Sequence, residues 1–227
     1  MKLEQEQILP VQRTKAQARQ NYDRISRFYD CFAGPFEKRY TDLALDALDI
    51  KKDAAVLEIG CGTGRCLQQI AESVGKTGRI HGVDISAGML EISRKRLAKE
   101  GLLDRAALVC EDALHMPYEA SRFDAVFMSF TLELFDTPEI PSVLSACKRV
   151  LKSNGRIGVV GMSREEGESM LLRLYEWAHT RMPQLVDCRP IYVEQSLRDA
   201  GFQIKHRQKI RLAGLPGEIV VGVKVAG

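Results

Sequence analysis

The chain has 227 residues, of which 45% are hydrophobic and 28% are charged, and its formal net charge is +3. This length and composition fit one compact domain whose core needs no disulfide or metal to hold it together. The small net charge does not indicate a nucleic-acid partner, because such proteins carry a concentrated basic surface. Six cysteines without a CxxC pair, a charged amino terminus and the lack of a long apolar run predict a cytoplasmic protein.

The first 50 residues are helical in pattern and precede the first strand, so they are expected to form an N-terminal lid. Tyr22-Asp23 and Tyr29-Asp30 repeat about two helical turns apart, which places both tyrosines on one face of a helix. That face either packs on the core or covers a ligand. The basic residues in this part of the chain are Arg13, Lys15, Arg19, Arg24 and Arg27. They predict either a solvated helix surface or a peripheral contact with a membrane.

Residues 51–161 alternate short apolar runs with helical patterns, which predicts parallel βαβ units and a Rossmann-like, doubly wound α/β sheet. The strands are expected at residues 55–59, 79–84, 107–111, 123–129 and 156–161. The helices are expected to begin near Gly64, Ala87 and Pro138. Asn154-Gly155 provides a turn into the fifth strand. This part of the chain is the predicted cofactor-binding core.

The pattern changes in residues 162–190, which are predicted to be a helical insertion. Apolar side chains recur there at helical spacing, at Met170, Leu171, Leu174, Trp177 and Ala178. Residues 191–227 are predicted to contain a helix near 191–200, a cap at Gly201 and a hairpin of runs 203–212 and 218–225. This hairpin brings the sheet to seven strands and makes its last strand antiparallel. Residues 1–227 are therefore predicted to form a single domain.

A glycine-rich turn follows the first strand in the segment VLEIGCGTG. Gly60, Gly62 and Gly64 let a ligand approach the backbone closely at this point. A dinucleotide fingerprint requires a small residue where Arg65 stands, because a pyrophosphate sits at that helix N-terminus. Glu58 would repel a pyrophosphate but suits an ammonium group. The pattern therefore favours the amino-acid end of S-adenosylmethionine over a dinucleotide.

Polar and acidic residues end the next strands. Asp84 is placed to accept hydrogen bonds from both hydroxyls of an adenosine ribose, and Met89 to pack on the adenine. Asp112-Ala113 are expected to meet the adenine amino group and a ring nitrogen. The residues from Ser129 onward are expected to form the floor beneath the sulfonium. No spacing typical of metal ligands occurs.

Four segments resemble the motifs of class I methyltransferases, namely VLEIGCGTG, GVDIS, EDALHMP and LKSNGRIGVV. YDRISRFYD is similar to the start of ubiquinone/menaquinone C-methyltransferases and phospholipid N-methyltransferases. The resemblance implies the sheet order 3-2-1-4-5-7-6 and implies that Tyr22 and Tyr29 close over the cofactor. The predicted cofactor-binding residues are Tyr22, Tyr29, Glu58, Gly60, Cys61, Gly62, Gly64, Asp84, Ile85, Met89, Asp112, Ala113, Ser129 and Phe130.

The predicted function is methyl transfer from S-adenosylmethionine by in-line displacement, with S-adenosylhomocysteine as product. The acceptor is expected to be a small molecule or lipid, either a phospholipid head-group amine or a quinone-like ring. The sulfonium already activates the methyl group, so the protein mainly aligns the acceptor and excludes water. Candidate bases are Tyr29, His115, Glu133 and His179. The alternatives are an NAD(P)-dependent oxidoreductase and a non-catalytic S-adenosylmethionine-binding module, and the oligomeric state stays open.

Overall fold

A computed structural model describes residues 8–32, 34–164, 170–181 and 187–225. The strands are β1 (Ala55–Ile59), β2 (Arg79–Asp84), β3 (Ala106–Cys110), β4 (Phe123–Ser129), β5 (Leu151–Met162), β6 (Phe202–Leu212) and β7 (Leu215–Lys224). The helices are α1 (Lys15–Phe32), α2 (Gly34–Leu48), α3 (Arg65–Val74), α4 (Ala87–Lys99), α5 (Ile140–Val150), α6 (Met170–Arg181) and α7 (Val193–Asp199). Short 3₁₀ turns cover Leu103–Arg105, Ala113–His115 and Leu132–Leu134.

The strands form one sheet in the order β3-β2-β1-β4-β5-β7-β6. Strands β1 to β5 are parallel, and β7 lies antiparallel between β5 and β6. This confirms the predicted fold class and strand order. Because all parallel strands end at the same edge, the loops after β1, β2, β3 and β4 lie side by side.

Two strand boundaries differ from the prediction by more than one residue. Strand β5 begins at Leu151, which pairs with Phe123, and a bulge precedes the next pair, Arg156 with Ala125. Asn154 lies in that bulge with φ of +62°, so the Asn-Gly pair interrupts the strand instead of preceding it. The hairpin turn is formed by Ala213 and Gly214, both with positive φ, so that β7 already starts at the next residue.

Apolar layers cover both faces of the sheet, which explains why β1 and β4 are nearly continuous apolar runs. On one face, α2, α3 and α4 bury side chains such as Leu48, Leu67 and Leu97. On the other face, α5 and α7 bury side chains such as Leu144 and Leu197. The sheet edge that carries the loops is therefore held rigidly from both sides.

Helix α6 lies in the predicted insertion, and most of its apolar side chains with helical spacing are exposed. Its apolar residues Met170, Leu174 and Trp177 are exposed, whereas Leu172 and His179 are buried. Residues 165–169 and 182–186, which were included in the predicted insertion, lie outside the described residues. Across the described ranges, no helix is long and apolar enough to cross a membrane.

Burial of His81 on β2 should make the stability of the protein depend on pH. Its ring packs edge-on against Tyr118 and Phe123, with centroid distances of 5.5 and 5.0 Å. Burial, together with the charge of Arg122, lowers the pKa of His81 to about 4. The unfolded chain therefore binds more protons than the folded protein between pH 6.5 and 4, so stability falls as the pH drops through this window.

We expect the unfolding free energy to decrease by about 1 kcal/mol between pH 7.5 and 5 on account of His81, after allowance for solvent screening. Urea denaturation of the wild type and of a His81→Phe variant at both pH values measures this. The His81→Phe variant is needed as a reference because burial also raises the pKa of Glu58 and of Asp84. These two carboxyl groups make the unfolding free energy increase as the pH drops, which opposes the effect of His81. Equal pH dependence in the two proteins would contradict the prediction.

Candidate active site

A cavity of about 190 Å³ lies at the carboxyl edge of the sheet, where the loops after β1 to β4 meet α1. Most of the predicted cofactor-binding residues line it. They are Tyr22, Tyr29, Gly60, Gly62, Asp84, Ile85, Met89, Asp112, Ala113, Ser129 and Phe130. The structure thus brings together residues that are more than 100 positions apart in the chain.

The glycine turn is held close to both neighbouring strands. Gly60 has φ of +67° and donates a backbone hydrogen bond of 2.8 Å to the carbonyl of Val83. A Cβ atom on Gly60 would lie 2.5 Å from Thr131, whereas one on Gly62 would meet nothing within 4 Å. Gly60 therefore permits close packing of the loop, and Gly62 leaves room on the cavity side.

Asp84 ends β2 with its carboxylate buried beneath this turn. One oxygen accepts a hydrogen bond from the N–H of Gly62 and the other from the N–H of Ser86, each at 2.8 Å. Burial raises the pKa of Asp84, and the two amide donors act against that shift. Each carboxylate oxygen has a second lone pair, so both hydroxyls of a ribose can be accepted in a fixed orientation.

The backbone after β4 adopts an unusual conformation at the cavity wall. Phe130 has φ of +51°, a region that side chains other than glycine rarely occupy. The N–H of Phe130 donates to the carbonyl of Val160 at 2.8 Å, which holds the turn against β5. Ser129, Phe130 and Thr131 consequently all reach the cavity.

Two aspartates fasten α1 over the cavity. Asp23 accepts hydrogen bonds from the Ser86 hydroxyl at 2.6 Å and from the N–H of Gly88 at 2.9 Å. Asp30 accepts a 2.6 Å hydrogen bond from the Thr63 hydroxyl and pairs with Arg96. In each Tyr-Asp repeat, the tyrosine faces the cavity while the aspartate anchors the helix to the cofactor loops.

Lys15 closes the opposite end of the cavity. Its ammonium group lies 2.7 Å from Asp112 and 2.7 Å from Glu139. The other oxygen of Asp112 accepts the N–H of Leu114 at 3.0 Å. Asp112 thus occupies its predicted position, but in this arrangement its carboxylate contacts Lys15.

Three predicted cofactor residues lie behind the cavity wall. Glu58 is buried and accepts hydrogen bonds from the Leu67 N–H and the Cys66 thiol at the start of α3. It therefore supports the turn from behind the wall, and its contact with an ammonium group stays a prediction. Cys61 is also buried. Gly64 caps α3 with φ of +78° and packs against Ser93.

Among the candidate bases, Tyr29 lines the cavity. Glu133 is fully buried and accepts a hydrogen bond from the N–H of Met162 at 3.2 Å. His179 is buried within the packing of α6, and His115 is exposed beside the adenine loop. Neither Glu133 nor His179 lines the cavity, and their role as a base stays a prediction.

Sequence reasoning missed the residues that bring the N-terminal segment and the 187–190 segment to the site. Arg13, assigned there to a surface face, is only 8% exposed and lines the cavity. Arg189 is fully buried and donates to the carbonyls of Leu9 and Phe135 and to the Thr137 hydroxyl. The sequence around Arg13 is polar and basic, so nothing local predicts that its side chain is buried.

The site fits S-adenosylmethionine on its own geometry. Asp84 presents a buried carboxylate to a ribose, and the space at Gly62 admits a ligand against the backbone. Met89 and Ile85 add apolar surface for a base. Within the described ranges, no group of histidine, cysteine, aspartate and glutamate side chains is arranged to hold a metal ion.

Comparison with known proteins decides the family. A family model described as a methyltransferase domain matches residues 56–155. The ubiquinone/menaquinone biosynthesis C-methyltransferase UbiE of Agrobacterium fabrum is 30% identical over 194 residues, covering 82% of this chain and 74% of that protein. The chain belongs to the class I S-adenosylmethionine-dependent methyltransferases.

A second relative agrees with this assignment. The demethylmenaquinone methyltransferase of Symbiobacterium thermophilum is 28% identical over 212 residues, covering 86% of this chain and 83% of that protein. Membership of the family favours a methyltransferase over the oxidoreductase and the non-catalytic binding module. The crystal structure of the [4+2]-cyclase SpnF shares the fold, with a TM-score of 0.76 and 20% identity over 96% of this chain and 99% of that one.

In this methyltransferase, the bound cofactor supplies an electrophilic methyl group on a sulfonium. The residues of the chain orient and enclose it. Asp84 is placed for the ribose, the glycine turn admits the amino-acid end, and α1 covers the cavity with Tyr22 and Tyr29. Exclusion of water by α1 protects the methyl group from hydrolysis and strengthens polar contacts inside the cavity.

Proposed function

We propose that this methyltransferase acts on an oxygen-bearing aromatic ring of a small molecule, of the quinone or quinol type. The observation that carries the proposal is the composition of the cavity wall beyond β4. Phe130, Leu134 and Phe135 supply an apolar surface, and Tyr22 and Tyr29 of α1 line the same cavity. Flat apolar walls with a few polar groups suit a ring better than a compact polar head group.

The carboxylates of the cavity also favour a ring over a phospholipid amine. Lys15 pairs with Asp112 and Glu139, so a cation already balances the charge of these two carboxylates. Asp136, Asp84 and Glu111 each accept backbone N–H groups. An ammonium group would therefore share its carboxylate with a donor that is already bound to it, which weakens the attraction between them.

The relatives carry names of the same kind. Demethylmenaquinone methyltransferase and UbiE are both named for quinone biosynthesis. A quinone-type acceptor also fits the aromatic and apolar cavity wall of this chain. The names of the relatives therefore support this acceptor over a phospholipid.

The test incubates the purified protein with S-adenosylmethionine and either a short-chain 2-prenyl-1,4-naphthoquinol or phosphatidylethanolamine in mixed micelles. Mass spectrometry follows the methylated product, and S-adenosylhomocysteine is quantified alongside it. We expect methylation of the quinol and none of the phospholipid. An Asp84→Ala variant serves as the control for cofactor-dependent turnover. Methylation of the phospholipid with an inert quinol would refute the proposal.

A further inference from the structure

Three charged or polar side chains meet at the cavity from distant parts of the chain. Arg13 precedes α1, Tyr22 lies within it, and Asp187 comes shortly before α7. Arg13 Nη2 donates to Asp187 Oδ2 at 2.7 Å and to the Tyr22 hydroxyl at 3.2 Å. The Tyr22 hydroxyl itself donates to Asp187. The guanidinium carbon of Arg13 also lies 5.0 Å from the centroid of the Tyr22 ring.

This cluster has an unused donor. Arg13 Nη1 is buried and meets no hydrogen-bond acceptor among the residues that the structure describes. A buried polar donor without a partner destabilises the folded protein, and more so when the group is charged. Arg13 and Tyr22 both line the cavity, so a ligand in the cavity can supply the missing acceptor atom.

The Tyr22 oxygen complements that donor. Its hydrogen is directed to Asp187, and it accepts one hydrogen bond from Arg13, which leaves capacity for one more donor. A donor on Arg13 beside an acceptor on Tyr22 matches a hydroxyl group, which both accepts and donates. An ether, a methyl group or an ammonium group matches only one of the two or neither.

We infer that Arg13, Tyr22 and Asp187 form the subsite for a ring hydroxyl of the methyl acceptor. Arg13 stabilises the ring oxygen when that hydroxyl releases its proton to solvent. This inference rests on the proposed function and extends it by naming the group that is recognised. Asp187 is a positioning residue, because it holds Arg13 and Tyr22 without lining the cavity. Tyr22 does not serve as a base, since burial and then the charge of Asp187 raise its pKa well above 10.

Other groups that face the cluster are placed for different contacts. The Tyr29 ring packs edge-on against Tyr22 at 6.4 Å, and Cys188 lies near the same hydroxyl. Lys15 pairs with Asp112 and Glu139. Arg13 is thus the cation nearest to Tyr22 among the residues that the structure covers.

The test uses 1-naphthol, whose anion has its own absorption band, and the full chain saturated with S-adenosylhomocysteine. Spectral titration measures the pKa of the bound naphthol. We expect Arg13→Gln to raise that pKa by about one unit or more, because the anion loses its cationic partner. We expect Asp187→Asn to lower it, because a negative charge near the naphthol is removed. Shifts of opposite sign are a signature that a merely structural role would not produce.

Two controls accompany the titration. Arg19→Gln removes an exposed arginine of α1 and is expected to leave the pKa of bound naphthol unchanged. Tyr22→Phe is expected to weaken naphthol binding roughly tenfold while leaving the binding of 1-methoxynaphthalene, which has no hydroxyl hydrogen, unaltered. Calorimetry with S-adenosylhomocysteine should give affinities within about twofold of wild type for Arg13→Gln, Asp187→Asn and Arg19→Gln.

The outcomes separate the inference from the proposed function. If wild type binds naphthol but neither Arg13→Gln nor Asp187→Asn shifts its pKa, the subsite is refuted and the ring acceptor stands. If Arg13→Gln instead weakens S-adenosylhomocysteine without affecting naphthol, Arg13 holds the cofactor carboxylate and the subsite is again refuted. If naphthol does not bind to wild type at all, the ring acceptor is refuted and the subsite with it.

Discussion

Replacing Asp84 with alanine is expected to lower the affinity for S-adenosylhomocysteine about 100-fold. The carboxylate is placed for two charge-assisted hydrogen bonds to a ribose, each of which contributes about 1.5 kcal/mol. It also holds the N–H of Gly62, so its removal loosens the turn on which the amino-acid end of the cofactor rests. Isothermal titration calorimetry measures the affinity directly.

Asp124→Ala is the matched control for this variant. Asp124 also supports a backbone amide of the central sheet, accepting the N–H of Ala55 at 2.8 Å, but at the other end of β1. Both variants should therefore lose some stability, because each leaves an amide without its acceptor. Only Asp84→Ala should lose cofactor affinity. A similar loss of affinity in both variants would mean that the effect comes from general destabilisation of the sheet.

Gly60→Ala is expected to reduce the unfolding free energy by about 3–4 kcal/mol and to abolish detectable binding of S-adenosylhomocysteine. A positive φ costs a residue with a Cβ atom about 1–2 kcal/mol. The remainder comes from the contact at 2.5 Å with Thr131, which the turn cannot avoid because its N–H groups bond to Val83.

The control is Gly101→Ala, because Gly101 has nearly the same φ of +65° and a Cβ atom there would meet nothing within 4 Å. We expect it to cost about 1 kcal/mol in urea denaturation and to leave cofactor binding intact. Adding Thr131→Ala to Gly60→Ala should recover part of the lost stability. Equal losses for Gly60→Ala and Gly101→Ala would show that the close contact with Thr131 is unimportant.

The sheet and one half of the site were predictable because they depend on local signals. Strands β1, β2 and β4 have the predicted bounds, since each is a short apolar run that ends in a turn or acidic residue. Because parallel strands end at one edge, the positions of Gly62, Asp84 and Ser129 followed from strand order alone. The Ser86 cap of α4 was equally local, and its hydroxyl accepts the N–H of Met89 at 3.1 Å.

Glu58 shows where this reasoning stops. Its place at the end of β1 is a property of the sequence, but β1 is buried on both faces, so strand alternation does not say which layer receives the carboxylate. The start of α3 provides N–H donors that stabilise a carboxylate, and the packing of α3 on the sheet turns Glu58 towards them. The same limit applies to the apolar residues of α6, whose periodicity predicted a helix but not the face that it buries.

By itself, the sequence determined the class of fold, the order of its strands and the loops that form the predicted cofactor site. The signals for these features are secondary-structure propensity, periodicity and glycine spacing, and each of them extends over only a few neighbouring residues. Tertiary structure alone decided which side chains meet at the acceptor subsite that we propose. Arg13, Tyr22 and Asp187 meet across separations of 9 to 174 residues, and Arg189 joins the N-terminal segment to the cavity wall in the same way. Such contacts have no local signature, because they form only when the packed elements bring buried charges close enough to satisfy one another.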